Sequence, residues 1–235
     1  MITLYGGPTP NGRKVAIMLE ELDLPFEYRW VDIMAGDQLT PEFLALNPNN
    51  KMPVIVDPDG PDGELVLWES GAILWYLGEK HGRLIPKDPR GRAICHQWLM
   101  FQMSGVGPMF GQNAHFAFYA KDKHPYSIER YGNEVKRLLR VLDGRLAGSR
   151  YLAGEDYTVA DIATYPYTLR QAEARRAELP NLARWSDEVG ARPAVQRGMD
   201  IGRQDVRKET IEGGLAGLTD EHRSILFGDR QYASG

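Results

Sequence analysis

The chain has 235 residues, 43% of them hydrophobic, which is enough apolar side chain to bury one large core or two modest ones and excludes disorder as the default state. Its 28 basic and 32 acidic residues leave a net charge of -4, so no basic surplus points to nucleic acid or to an anionic membrane. The first residues carry neither a charged leader nor a long apolar run, so no membrane partner is expected and the reading is cytoplasmic. Cys95 is the one cysteine, and the chain can build neither an internal disulfide framework nor a CxxC pair.

Over the first 80 residues the hydrophobic period switches between two and 3.6. Met1 to Tyr5 reads as a strand. Asn11 to Leu22 places Val15, Leu19 and Leu22 on one helical face, and Phe26, Tyr28 and Trp30 alternate with Glu27 and Arg29 as in a half-buried strand. A short helix is expected over Pro41 to Leu46. Val54-Ile55-Val56 and Leu65-Val66-Leu67 read as strands around the turn DPDGPDG, and a helix follows from about Ser70 to Lys80. The order β-α-β-α-β-β-α fits a thioredoxin-like domain over residues 1–80.

From Pro89 the strand signals cease. Ile94, Trp98 and Phe101 share a helical stripe, and Ile128, Tyr131, Val135, Leu138, Leu139, Leu142 and Leu146 keep helical spacing over several turns. TVAD at Thr158 to Asp161 has the spacing of a capping box, with Asp in place of the usual Glu or Gln, and starts another helix near Tyr157. The expected class is therefore α/β plus all-α: a linker over residues 81–89, a helical bundle over 90–203 and a tail over 204–235. Ile225-Leu226-Phe227 offers that tail an apolar anchor on the body or on a partner subunit.

Two stretches carry chemistry in a thioredoxin-like frame. NPNNKMPVI puts Pro53 at the entry of the third strand, where a cis-proline presents the backbone of Met52 to an extended peptide ligand; proline at a strand start is also ordinary. Glu69 and Ser70 precede a helix, whose N-terminus attracts a carboxylate while Glu69 attracts an ammonium, a pairing suited to an α-amino acid. The same dipeptide serves equally as a plain cap with dipole compensation. His81, His96, His115, His124 and His222 show no ligand spacing, so no metal is expected.

TPNGRKV after the first strand, NPNNKMPVI, ESGAI at a helix start and YTVADI in a helical second half together resemble the cytosolic glutathione S-transferases over about residues 1–200. PTPNGRKV, Asn47 to Lys51, GPMFGQNAHF and IERY are more narrowly similar to the bacterial nu-class, which are glutathione-dependent disulfide-bond oxidoreductases. The resemblance implies that Glu69 and Ser70 bind the γ-glutamyl end of glutathione and that the Met52 backbone, before Pro53, pairs with its cysteinyl unit. Gln38 and Lys51 then lie near the ligand's carboxylates, Thr9 and Asn11 face its sulfur, and Arg130 reaches in from the second subunit of a homodimer. Glutathione is then substrate or cosubstrate, beside glutathione disulfide, a small disulfide or an electrophile.

A site without a cysteine can still perform thiol chemistry. A free thiol with a pKa of about 8.5 is mostly protonated at neutral pH, and hydrogen-bond donors at a helix start stabilise its thiolate. The Thr9 hydroxyl and the Asn11 amide are such donors, so the reactive sulfur belongs to the ligand. Three functions stand: glutathione-dependent disulfide reduction, conjugation of glutathione to an electrophile, and a non-catalytic glutathione-fold module.

Overall fold

The computed structural model describes residues 1–205 and 218–232. Four strands form one sheet in the order β2-β1-β3-β4: β1 is Ile2–Gly6, β2 Phe26–Trp30, β3 Val54–Gly60 and β4 Gly63–Trp68. β1 and β2 run parallel because the chain crosses between them through helix α1, Pro10–Glu21; β3 and β4 are antiparallel neighbours joined by a short turn. A 3₁₀ turn at Asp37–Leu39 and helix α2, Pro41–Leu46, connect β2 to β3, and α3, Ser70–His81, closes the unit. This is a thioredoxin-like domain.

The register of the sheet gathers three chain segments at one end. Tyr5 pairs with Val54, and Val54 pairs with Trp68. The residues that follow β1, precede β3 and follow β4 are therefore neighbours: Gly7 to Thr9, Met52-Pro53 and Glu69-Ser70. The first of these turns has no room for a side chain at Gly12, where a Cβ would stand 2.2 Å from the Gly7 carbonyl oxygen.

The second half is helical. Helix α4, Pro89–Phe101, runs through a π-helical turn at Gln102–Val106 into α5, Gly107–Ala114, and a second π turn at His115–Tyr119 ends that arm. Helix α6, Pro125–Ala147, returns along it, followed by α7, Val159–Ala174, α8, Pro180–Gly190, and α9, Pro193–Met199. TVAD caps α7 as its spacing predicts: Thr158 Oγ1 accepts from the Ala160 N–H at 3.3 Å, and Asp161 Oδ2 accepts from the Thr158 N–H at 3.0 Å. Asp161 Oδ1 also accepts from the Leu152 N–H at 3.0 Å and the Trp185 indole at 2.8 Å, so one buried carboxylate fixes the start of α7 against α8.

The core runs through both halves. Val15, Ala16, Ile17, Met18 and Leu19 of α1 are fully buried, and α1 packs on α3 as well as on α7 and α9 of the helical half. The stretch 81–89, which carries no apolar stripe in sequence, is itself docked. Leu84 and Ile85 pack against the core, and the Leu84 carbonyl accepts from the Val159 N–H at 3.0 Å. Cys95 on α4 is fully buried, and burial pushes its thiol up.

Beyond α9, the described residues include helix α10, Asp220–Phe227. Its Phe227 ring meets His115 and Tyr119 at centroid distances of 4.8 and 5.4 Å, and Ile225 is 3% exposed beside Gly36. Asn50 donates to the Gln231 carbonyl at 3.0 Å, and Lys51 Nζ donates to Gln231 Oε1. Residues 206–217 and 233–235 of the expected tail lie outside the described residues.

Candidate functional site

The site is built at the end of the sheet where the three segments meet, with α1 and α3 both starting there. Thr9 is the N-cap of α1 and its Oγ1 accepts from the Gly12 N–H at 3.2 Å; Pro10 takes the first helical position and Asn11 the second. The Thr9 oxygen has thus accepted its bond, and its hydroxyl hydrogen remains to be donated. Asn11 Oδ1 accepts from the Tyr167 hydroxyl of α7 at 3.1 Å, which orients the amide so that its NH₂ is the end left for a ligand.

The Met52–Pro53 peptide is cis, as the strand-entry position predicts. The Met52 side chain closes against the first turn: a Cβ on Gly7 would meet its Cε at 2.9 Å. Across the sheet end, Glu69 takes the N-cap position of α3 with φ 72 and ψ 109, a backbone conformation that a residue with a Cβ seldom adopts. The Glu69 side chain is exposed, whereas Ser70, the first residue of α3, is 3% exposed.

Sequence reasoning missed the group beneath these residues. Lys14 is 1% exposed, and its Nζ donates to Gln102 Oε1 at 2.8 Å and to Ser70 Oγ at 3.3 Å. It also lies 3.6 Å from Met103 Sδ and 5.0 Å from the centre of the Tyr167 ring. Burial pulls this amine down to about 7 against the raising influence of Glu69. Tyr167 therefore touches both Asn11 and Lys14, and a continuous set of contacts joins the start of α1 to the start of α3 through the helical half. Lysine next to a helix start reads as a surface charge, and nothing in its spacing marks it otherwise. Gln102 and Met103 sit in the π turn, a geometry with no period to detect in sequence.

The remaining predicted residues are placed apart from this group. Gln38 is 3% exposed; its Nε2 donates to the Ile33 carbonyl at 3.2 Å, and its Oε1 is buried with no donor among the described residues. Lys51 is exposed and held by Gln231, and the Lys51 carbonyl accepts from Asn47 Nδ2 at 2.6 Å. Arg130 is exposed on α6, ion-paired with Glu134 at 3.6 Å, and is not brought to the site within one chain. Among the described residues no group of three His, Cys, Asp or Glu side chains could hold a metal ion, and no helix is long and apolar enough to cross a membrane.

A thioredoxin-like domain with a cis-proline at β3, a Glu-Ser start to α3 and an attached helical domain defines the glutathione S-transferase class. The family's N-terminal domain matches residues 9–80 and its C-terminal domain residues 108–193, and the chain belongs to the glutathione S-transferase family. It is 46% identical over 199 residues to the disulfide-bond oxidoreductase YfcG of Escherichia coli, covering 83% of this chain and 93% of that protein. It is 39% identical over 218 residues to the disulfide-bond oxidoreductase YghU of the same organism, covering 86% of this chain and 75% of the relative. Among solved structures, a glutathione transferase of Burkholderia graminis with two glutathione molecules bound per subunit superposes with a TM-score of 0.83 at 49% identity, over 86% of this chain and 89% of that one. One from Pseudomonas putida, with one glutathione disulfide bound per subunit, gives 0.80 at 46% identity, over 85% and 91%.

Proposed function

We propose that this chain is a glutathione-dependent thiol–disulfide oxidoreductase that activates the thiolate of its ligand and uses no thiol of its own. The observation that carries the reading is the start of α1. Where a thioredoxin-like fold places reactive cysteines, this chain places two polar side chains, each already oriented by an accepted hydrogen bond: Thr9 by Gly12, Asn11 by Tyr167. Relatives named as disulfide-bond oxidoreductases and a neighbour holding glutathione disulfide support the same chemistry.

In this reading the ligand's γ-glutamyl carboxylate meets Ser70 and the N–H groups at the start of α3, and its ammonium meets Glu69. The Met52 backbone pairs with the cysteinyl unit, and Gln38 stands near one of the ligand's carboxylates. A ligand carboxylate at Lys51 takes the place of Gln231. Arg130 reaches a site only from a second subunit, which is the role proposed for it in a homodimer.

The exchange proceeds by two displacements. Glutathione thiolate, stabilised by donation from Thr9 and Asn11, attacks one sulfur of a disulfide; a new S–S bond forms, the old one breaks, and the leaving thiolate takes a proton. A second glutathione thiolate attacks the mixed disulfide, releasing the other thiol and glutathione disulfide, so two glutathione thiols are oxidised as one disulfide is reduced. Cys95 takes no part, since a buried thiol pushed up by its surroundings is a poor nucleophile.

Turnover of a small disulfide and conjugation of an aromatic electrophile, both at saturating glutathione, test this reading. Disulfide turnover that exceeds conjugation and survives Cys95→Ala is expected. Conjugation alone assigns a conventional transferase, and neither activity leaves a non-catalytic module.

A further inference from the structure

A buried ammonium has lost its hydration, at a cost of several kcal/mol that only close polar partners offset. Among the described residues the partners of Lys14 are all neutral: Gln102 Oε1, Ser70 Oγ, Met103 Sδ and the face of Tyr167. The titratable groups that face it are Glu69 at the start of α3, which acts on it through space, and the Tyr167 phenol of α7, pushed up to about 12 by burial and therefore uncharged. The π turn after α4 contributes only Gln102 and Met103. The Lys14 amine therefore stands directly beneath the N-terminus of α3, bonded to one oxygen of the candidate site.

We propose that Lys14 is a positioning residue: by donating to Ser70 Oγ, its buried ammonium turns the Ser70 hydroxyl hydrogen, and an incompletely balanced positive charge, toward the carboxylate of an incoming α-amino acid group. This rests on the reading that Glu69 and Ser70 hold the γ-glutamyl end of glutathione. With its oxygen occupied by Lys14, the Ser70 hydroxyl must donate its hydrogen elsewhere, and the acceptor at hand is Met103 Sδ at 3.8 Å. A thioether is a weak acceptor. A carboxylate replaces it at no cost to the Lys14 bond. Met103 reaches this place only because residue 71 is glycine; a Cβ there would stand 2.9 Å from Met103 Cγ.

The arrangement ties ligand binding to a proton. With the amine near 7, the free protein at neutral pH holds Lys14 about half protonated. A bound carboxylate favours the ammonium and raises that value. Binding at pH 7 thus takes up about half a proton per site, and affinity declines as pH rises above about 7 toward the liganded value.

S-methylglutathione, which has no ionisable thiol, is the probe. Calorimetry at pH 7 in two buffers of different ionisation enthalpy is expected to show uptake of about half a proton in the wild type. Lys14→Met is expected to bind about tenfold more weakly with no uptake, and Lys14→Arg, charged throughout, to bind without uptake. Wild-type affinity in Lys14→Met overturns the proposal and leaves the glutathione site standing. A wild type that does not bind the probe overturns the site itself. Should Lys14→Met fail to fold, Ser70→Ala decides: unchanged affinity for the probe overturns the proposal.

Discussion

At the scale of single residues, the chemistry turns on which hydrogen-bonding capacity is already spent. Thr9 and Asn11 each accept one bond from the protein, from Gly12 and from Tyr167, so what they have left to give is hydrogen. Removing both, by Thr9→Ala with Asn11→Ala, is expected to raise the pKa of the bound glutathione thiol and slow exchange near neutral pH. The loss reaches about 3 kcal/mol if no backbone N–H shares the load. The expected pH–rate profile has its rising limb moved to higher pH, with glutathione affinity little changed. An unmoved profile removes these two side chains from the mechanism. Ser70→Ala separates binding from activation. Glutathione affinity measured by calorimetry should fall, and Tm should fall with it only modestly, because the buried Lys14 amine loses the Ser70 oxygen and keeps the one on Gln102.

At the scale of elements, the β3–β4 hairpin is tied to α3 by one buried carboxylate. Asp57 is 1% exposed at its side chain and accepts from Lys80 at 2.6 Å, from the Tyr76 hydroxyl at 2.8 Å and from the Asp59 N–H at 3.0 Å. Burial by itself would raise this carboxyl; the three hydrogen bonds together outweigh it and hold the group below its ordinary value. A carboxyl depressed in the folded state stabilises the protein above its unfolded pKa of about 3.9, and that stabilisation disappears as pH falls through the lower folded value. Asp57→Asn should therefore cost about 2 kcal/mol at pH 7, read from urea midpoints, and its deficit should shrink as pH falls below about 4. A deficit that stays constant down to pH 2 contradicts this account. Since α3 carries Ser70 at its other end, the variant also reports whether the tie at Asp57 steadies the site: a rise in KM for glutathione at neutral pH is expected.

At the scale of the whole molecule, helix α10 reaches from the helical half to the sheet domain. It sets Phe227 against His115 and Tyr119, buries Ile225 beside Gly36, and is followed by Gln231 on Asn50 and Lys51. Deleting residues 204–235 removes the buried Ile225 and Leu218 side chains, worth about 2–3 kcal/mol together once chain ordering is discounted. Tm should drop by roughly 5 °C, and KM for glutathione should fall because Lys51 loses its competitor. An unchanged Tm and KM would mean that α10 neither braces the body nor occupies the ligand's place. Light scattering on the full chain tests the proposed homodimer, and a monomer at working concentration would leave Arg130 without a route to any site.

Much of this protein is legible without its fold. Alternation of period over residues 1–80 marks each strand, because a half-buried sheet residue must alternate and a helix face must repeat near 3.6. TVAD names its own helix start through local hydrogen bonds, a short-range constraint written in adjacent residues; MP before VIV reads as a cis-proline only inside a thioredoxin-like frame, since proline at a strand start is ordinary. What adjacent residues cannot express is which distant groups become partners. Thr9 caps α1, and the Asn11 amide in the first turn meets Tyr167 from 156 positions away. Lys14 looks like a solvated charge until Ser70, Gln102, Met103 and Tyr167 close around it, since burial and the lowered proton affinity that follows are properties of packing between the two halves. The same holds for Leu84 and Ile85, which look like linker and pack against the core. Local sequence determined the elements and where they begin; only tertiary structure decided which hydrogen bonds were already spent at the starts of α1 and α3, and hence which groups were left to donate.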